Sequence, residues 1–449
     1  MLLPLSTLTL RDFRLAEKLE LPLDPRLTVL HGENAGGKTT VLDALAIGMG
    51  AVLSRMPAAR GRDLRPADLR QTWRQAPLVE LGMLESSDWQ TTTSPFARIT
   101  LESASGLRWD RTRRRESAAA ADTPAIGVKE LLGHLDPLIA SAQSGEPITL
   151  PVVAYYGTDR SVPHLVTRRR SLRQAFGRFD GLQDALSPGI EWKDVFGWFQ
   201  YAEDAERRAR EKRRDFDFQL PILDAVRRAT ERALPQCRNP RTELSPTRFV
   251  VDFQRTPGGP IESLAMQDLS HGFRTHAAMV IDLARRMAIV NPHLEPEYCP
   301  ALVLIDEVDL HLHPRWQQTV LPALLDAFKG TQWVVSTHSD QVISSVDREH
   351  VRSLRLEEGA LRWARPPFAE GATAEEVQTE LMGVPPRAPS PTATKLAEYR
   401  GLVAAGHGRT VEAQALRIEL EEKLPGRAVL HRADLEMKRQ EVLGRGSGR

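Results

Sequence analysis

From residue 5 to residue 31 apolar and polar positions alternate, the period-two pattern of half-buried strands. The run from Leu27 to His31 leads straight into a glycine-rich turn. From Thr39 to about Arg55 the apolar positions (Leu42, Leu45, Ala46, Met49, Val52) recur at helical spacing, so the turn is predicted to join a strand to a helix. Residues 77–115 predict short strands of an antiparallel layer, with a turn at 103–106. Leu150 to Tyr156 predicts a buried strand. Residues 160–238 read as mostly helical, and the charged stretch from Glu203 to Arg214 as a solvated helix. Phe249–Phe253 and Ile261–Met266 predict a hairpin. Gly272 to Val290 predicts a helix. The short apolar runs Ala301–Ile305 and Gln332–Ser336 fit buried parallel strands. Pro-rich residues 385–391 predict a linker, and 393–443 two or three amphipathic helices.

Composition narrows the class. Of 449 residues, 41% are hydrophobic and 27% charged, which fits a chain able to bury a large core. Lys+Arg numbers 60 against Asp+Glu 59, so any nucleic-acid surface must be local. Two cysteines, Cys237 and Cys299, form neither a disulfide framework nor a zinc spacing, which fits a reducing cytoplasm. Met1 to Phe13 lacks the basic start and apolar core of a signal peptide. Nowhere do 18 apolar residues run together, so no membrane span is expected.

Two patterns carry chemistry. Gly32 to Thr39 reads Gly-Glu-Asn-Ala-Gly-Gly-Lys-Thr and fits G-x-x-x-x-G-K-[ST]. Gly32, Gly36 and Gly37 let successive N–H groups aim into one cavity, and the following helix adds its positive end. Asn34 and Thr40 belong to the same cradle. Lys38 is placed to reach the β and γ phosphates of ATP, and the Thr39 hydroxyl to bind Mg²⁺. The second pattern is Leu302-Val-Leu-Ile-Asp306-Glu307, two acids at the end of an apolar strand. Asp306 suits Mg²⁺, and Glu307 suits a base that orients or deprotonates attacking water.

Three further segments extend the pattern. Leu269-Ser270-His271-Gly272 precedes a helix, Val308 to Pro314 follows the acids, and Thr337-His338-Ser339 follows the next strand. Their order resembles the ABC-type ATPases: phosphate loop, signature, acid pair, D-loop, switch histidine. The Gly32-Glu33-Asn34 start is similar to the RecF, SMC and OLD branch. Val152 to Arg160, His313 to Gln317 and Ser336 to Gln341 are closer still to bacterial AAA-family ATPases of anti-phage systems, the PtuA-like set of Septu and retrons.

The resemblance implies an α/β ATPase head over 1–159 and 239–384, with a mainly parallel sheet and an antiparallel β layer. A helical insertion at 160–238 and a C-terminal helical region at 385–449 complete it. It implies a homodimer closed around ATP, in which Ser270 and Gly272 contact the γ-phosphate held by the partner's Lys38. His338 would contact the same phosphate and the attacking water. It also implies a defence role with a separate HNH-type nuclease as effector, since no nuclease motif occurs here. A DNA-binding repair ATPase, a transporter ATPase subunit, and a scaffold glued by ATP with little hydrolysis stay open as alternatives. Nucleic acid stays open as a partner, and a higher oligomer as an assembly.

No glutamine marks the Q-loop. Its place falls around Tyr156 to Arg160, where Arg160 reads equally as functional or as a plain structural cation. Arg111, Arg113 to Arg115, Arg168 to Arg170 and Arg173 form basic clusters, more simply read as a solvated face than as phosphate contacts. Trp192, Val195, Phe196 and Phe199 read as core. Ser270 has the plainer reading of a helix cap.

Overall fold

A computed structural model describes residues 2–75, 89–115, 124–160, 176–244, 247–256, 258–384, 389–424 and 428–446. Strands β1 (Leu5–Phe13) and β2 (Ala16–Pro22) open the chain, followed by β3 (Leu27–Gly32) and helix α1 (Lys38–Leu53). A ribbon of β4 (Gln71–Gln75) and β5 (Trp89–Thr93) precedes β6 (Phe96–Ser103) and β7 (Arg108–Arg114). Sheet order β2-β1-β6-β7 makes the antiparallel layer, and the 103–106 turn closes its last hairpin with Gly106 at φ 84°.

Helix α2 (Lys129–Gln143), strand β8 (Val152–Tyr156) and helices α3 (Trp192–Arg213) and α4 (Pro221–Ala233) come next. Strands β9 (Cys237–Leu244), β10 (Thr247–Gln254) and β11 (Ile261–Ala265) form a three-stranded sheet. The predicted hairpin is β10–β11, with Val250 opposite Ala265. The third strand, β9, has no apolar alternation to announce it. It carries Pro240 at the sheet edge, where a missing N–H costs no ladder bond.

Helix α5 (His271–Val290) leads to β12 (Ala301–Ile305), β13 (Thr331–Thr337), β14 (Val351–Glu357) and β15 (Ala360–Ala364). The main sheet runs β15-β14-β3-β13-β12-β8, parallel except for β15. Its β8, β12 and β13 are buried at every position, as expected where helices or a second sheet cover both faces.

Helix α1 lies between the two sheets. A Cβ on Gly48 would fall 2.5 Å from Leu101 Cδ1 of β6, and Trp109 of β7 donates through Nε1 to the Gly48 carbonyl at 3.0 Å. With both sides covered, 15 of its 16 residues are buried, and no polar stripe survives.

The aromatic run of α3 is core. Trp192 and Phe199 meet Phe249 of β10 edge-to-face, at ring centroids 5.1 and 4.9 Å apart. The charged stretch after it departs from the expected solvated helix. Glu203 and Glu206 are buried: Glu203 accepts from the Thr242 amide, and Glu206 from the Leu220 amide and Arg210. Charge counts miss this, because backbone donors and Arg227 from elsewhere, with Arg210 of the same helix, satisfy one face of the helix.

The chain divides into two compact units, Met1–Ala374 and Glu375–Arg449. The second holds helices Pro391–Ala404, Val411–Lys423 and Ala428–Gly446 around a core that includes Leu396, Tyr399, Leu420 and Leu430. No helix among the described residues is long and apolar enough to cross a membrane.

Candidate functional site

Strands β3, β13 and β12 are neighbours in the parallel sheet, so their carboxyl ends open onto one crevice, the usual ligand position in such sheets. The segments after them are Gly32–Thr39, His338 and Asp306–Glu307. The sheet therefore gathers residues that lie about 300 positions apart.

The phosphate loop leaves β3 at Gly32 and turns tightly at Gly36, whose amide donates to the Glu33 carbonyl at 3.0 Å. A Cβ on Gly36 would fall 2.8 Å from that same carbonyl oxygen, so the turn has no room for a larger residue. Gly36 thus shapes the loop from within, by the close approach of its backbone to Glu33. The loop enters α1 through Gly37 at φ 91°, the left-handed region that disfavours other residues. A Cβ there would also meet Leu361 Cδ1 at 2.7 Å. No side chain caps the first turn of α1, which leaves its N–H groups to an anion. Asn34 is exposed on the loop and Thr40 is buried behind it. Lys38 is 6% exposed and donates from Nζ to the carbonyls of Gly32 and Glu33, at 2.8 Å each. Burial lowers its pKa, against the opposing pull of Asp306, Glu307 and Asp309.

Thr39 Oγ1 donates to Asp306 Oδ2 at 2.8 Å. Two hard oxygen donors side by side fit Mg²⁺, which keeps waters and takes phosphate oxygens for its remaining positions. Ser336, at the end of β13, donates through Oγ to Asp306 Oδ1 at 2.5 Å and accepts from the Glu307 amide at 2.8 Å. The sequence reading missed Ser336. Its only signal is its place two residues before His338. Glu307 is partly exposed, at φ 52°. His338 is half-buried, and burial followed by the Lys38 charge lowers its pKa, so its ring is neutral near pH 7. On α1 itself, Asp43 is held by Arg14 at 2.7 Å, Arg62 at 2.8 Å and the Tyr155 hydroxyl at 3.1 Å. None of these four stood out in the sequence.

Ser270 is exposed and Gly272 is buried at the start of α5. They line an opening of about 970 Å³ with His271, His311, Leu312, His313, Arg315 and Trp316. No residue of the phosphate loop or the acid pair lines it. Ser270 is exposed and makes no side-chain cap bond to α5, so the plain capping role does not describe it. Gly272 packs onto the next loop, where a Cβ would fall 2.0 Å from the His311 carbonyl oxygen. Gly272→Ala is expected to push the loop at 311–313 away from α5 and to lower the thermal midpoint; an unchanged midpoint would show that this close packing is unimportant.

The remaining sequence candidates fall as follows. Arg160 is buried against the acid pair. Arg111 pairs with Asp63, Arg113 donates to the Leu64 carbonyl and Arg115 to the Thr93 carbonyl. Arg168 to Arg170 and Arg173 lie outside the described residues. Cys237 and Cys299 are buried with pKa values raised to about 12 by burial, so neither is a reactive thiol. Among the described residues no three His, Cys, Asp or Glu gather to hold a metal.

Residues 7–219 match the family described as AAA domain, and residues 157–344 match AAA domain, putative AbiEii toxin, Type IV TA system. The chain is similar to the Retron Ec83 probable ATPase of Escherichia coli, 25% identical over 86% of this chain and 77% of that one. It is 35% identical to the Septu protein PtuA of Bacillus mycoides over 16% of this chain and 10% of that one. The SMC head domain from Thermotoga maritima superposes with a TM-score of 0.38 at 11% identity, over 81% of this chain and 99% of that one. The chain is thus similar to a retron probable ATPase and, over a short stretch, to a Septu protein.

Proposed function

We propose that this chain is a Mg²⁺-dependent ATPase that closes as a homodimer around two ATP molecules and serves as the regulatory subunit of an anti-phage system. The observation that carries the ATPase reading is the meeting of Lys38, the Thr39–Asp306 pair, Glu307 and His338 at three adjacent strand ends. The defence role rests on the similarity to retron and Septu proteins.

In this reading the loop amides from Gly32 to Thr40, those of Gly36 and Gly37 among them, and the start of α1 bind the phosphates, and Asn34 borders them. Lys38 leaves the Gly32 and Glu33 carbonyls for the β and γ oxygens. Thr39 and Asp306 would hold Mg²⁺, which would supply positive charge to those oxygens. Glu307 takes a proton from water placed in line with the γ-phosphorus, and the P–O bond to ADP breaks as the new one forms. The neutral His338 ring hydrogen-bonds the γ-phosphate. Ser270 and Gly272 reach the nucleotide held by the partner, since their opening is separate from their own phosphate loop. The implied effector is a separate HNH-type nuclease, released or restrained as ATP turnover opens the dimer. Nucleic acid binding is left as a partner to be tested.

Two experiments test this. Lys38→Ala is expected to weaken Mg-ATP binding at least a hundredfold by isothermal titration. Retained affinity would remove the phosphate-loop assignment. Native mass spectrometry of the chain co-expressed with its neighbouring genes is expected to show a complex with a small nuclease. A chain that only dimerises with ATP and binds DNA in a salt-sensitive way would instead fit a RecF-like repair role.

A further inference from the structure

Arg160 is 3% exposed and lies where the chain leaves β8. Its Nη1 donates to the carbonyls of Gly157 at 2.8 Å and Asp306 at 2.5 Å, and its Nη2 to the carbonyl of Glu307 at 2.5 Å. One planar guanidinium thus spans two successive backbone carbonyls of the acid pair. The Glu307 amide is held from the opposite side by Ser336 Oγ at 2.8 Å. The Glu307 amide thus ends on a side chain, its carbonyl is shared between Arg160 and the Leu310 amide at 2.9 Å, and the residue between them sits at φ 52°. That conformation is unfavourable for a residue with a Cβ and persists only where the surroundings impose it.

We propose that Arg160 is a positioning residue for hydrolysis: it fixes the backbone turn at Asp306–Glu307 and thereby aims the Glu307 carboxylate. This rests on the reading of Glu307 as the base. The hydrogen bonds of Arg160 end on the Gly157, Asp306 and Glu307 carbonyls, so it acts through that turn. Its bonds are to backbone atoms only, so it holds the turn whatever side chain stands at 307. Burial lowers its pKa to about 10, while Asp306, Asp309 and Glu307 favour the charged form, and it remains a cation near pH 7. A lysine supplies charge but no planar fork, and cannot reach both carbonyls in the same geometry.

The test compares the full-length wild type with Arg160→Lys, Arg160→Ala and Glu307→Gln. It measures steady-state ATP hydrolysis, Mg-ATP affinity by titration calorimetry, and the thermal midpoint. Both Arg160 variants are expected to lose about 10–100-fold in kcat, the cost of displacing a catalytic group by about an ångström. Their affinity for Mg-ATP is expected to stay within about threefold of wild type, because the phosphate cradle is untouched. In single turnover, Arg160→Ala added to Glu307→Gln is expected to cost little more than Glu307→Gln alone, since both act on one step.

Full kcat in Arg160→Lys would reduce the role to charge and overturn the proposal. So would a joint loss of affinity and thermal midpoint in both variants, which marks a structural strut. If Glu307→Gln is inactive while the Arg160 variants run at full rate, only the positioning role falls. If Glu307→Gln itself runs at full rate, the base assignment falls and takes the positioning role with it.

Discussion

Glu307→Gln is expected to cut steady-state ATP hydrolysis by about 10²–10⁴-fold, the range of general-base removal, and to leave ATP binding intact. The substitution keeps side-chain shape and removes the proton acceptor. Lys38, Thr39 and Asp306 are untouched, and the Glu307 backbone keeps its bonds to Ser336 and Arg160. The ATP-bound dimer then has no exit by hydrolysis. Light scattering after gel filtration in Mg-ATP is expected to show a long-lived dimer that wild type forms only transiently. A variant that turns over at the wild-type rate would remove Glu307 from the mechanism. A variant that is inactive yet monomeric in ATP would remove the sandwich dimer.

The largest stability effect is expected at Asp282. It lies on α5, 1% exposed, bonded by Arg285 at 2.6 Å, by Arg286 at 2.7 Å and by the Tyr156 hydroxyl at 3.0 Å. Arg286 also donates to the carbonyls of Gly181 and Gln183. Asp282→Ala leaves two buried guanidinium groups without their counter-charge, a loss of roughly 3–5 kcal/mol. That is a large share of the roughly 5–15 kcal/mol that holds a domain folded. Urea unfolding followed by fluorescence reads it, since Trp109, Trp192, Trp198 and Trp333 are all buried in the first unit. A midpoint within error of wild type would show that the network carries no net stability.

The same group sets a pH window. Burial alone would raise the Asp282 carboxyl, but Arg286 and Arg285 outweigh it and hold it at about 2. The folded pKa lies below the unfolded value near 4, so the stabilisation is complete above about pH 4 and is lost as pH falls toward 2. Wild-type stability is expected to drop across that window by about 2 kcal/mol more than that of Asp282→Asn, in parallel urea titrations.

Much of the candidate site could be read from the chain because its parts are local. A loop that cradles phosphate needs its glycines, lysine and threonine within eight positions, and a strand that ends in catalytic acids shows as an apolar run with two carboxylates. Continuous apolar runs marked β12 and β13, which are buried at every position, and helical spacing of apolar residues marked α1. Amphipathic pattern also marked the C-terminal helices and the α3 aromatics as core.

Tertiary structure alone decided which distant residues meet. That Thr39 and Asp306 stand 2.8 Å apart depends on β3, β13 and β12 being consecutive in the sheet, and pairing order leaves no trace in local composition. Ser336, Asp43 and Arg14 gained their places the same way. Arg160 shows the limit most clearly. A lone arginine after a strand reads equally as surface or site. Only the fold reveals that its guanidinium ends on the carbonyls of Asp306 and Glu307, because backbone acceptors have no sequence signature. The buried Glu203 and Glu206 follow the same rule: hydrophobic pattern specifies which faces are covered, whereas the satisfaction of a buried charge depends on partners that sequence distance conceals.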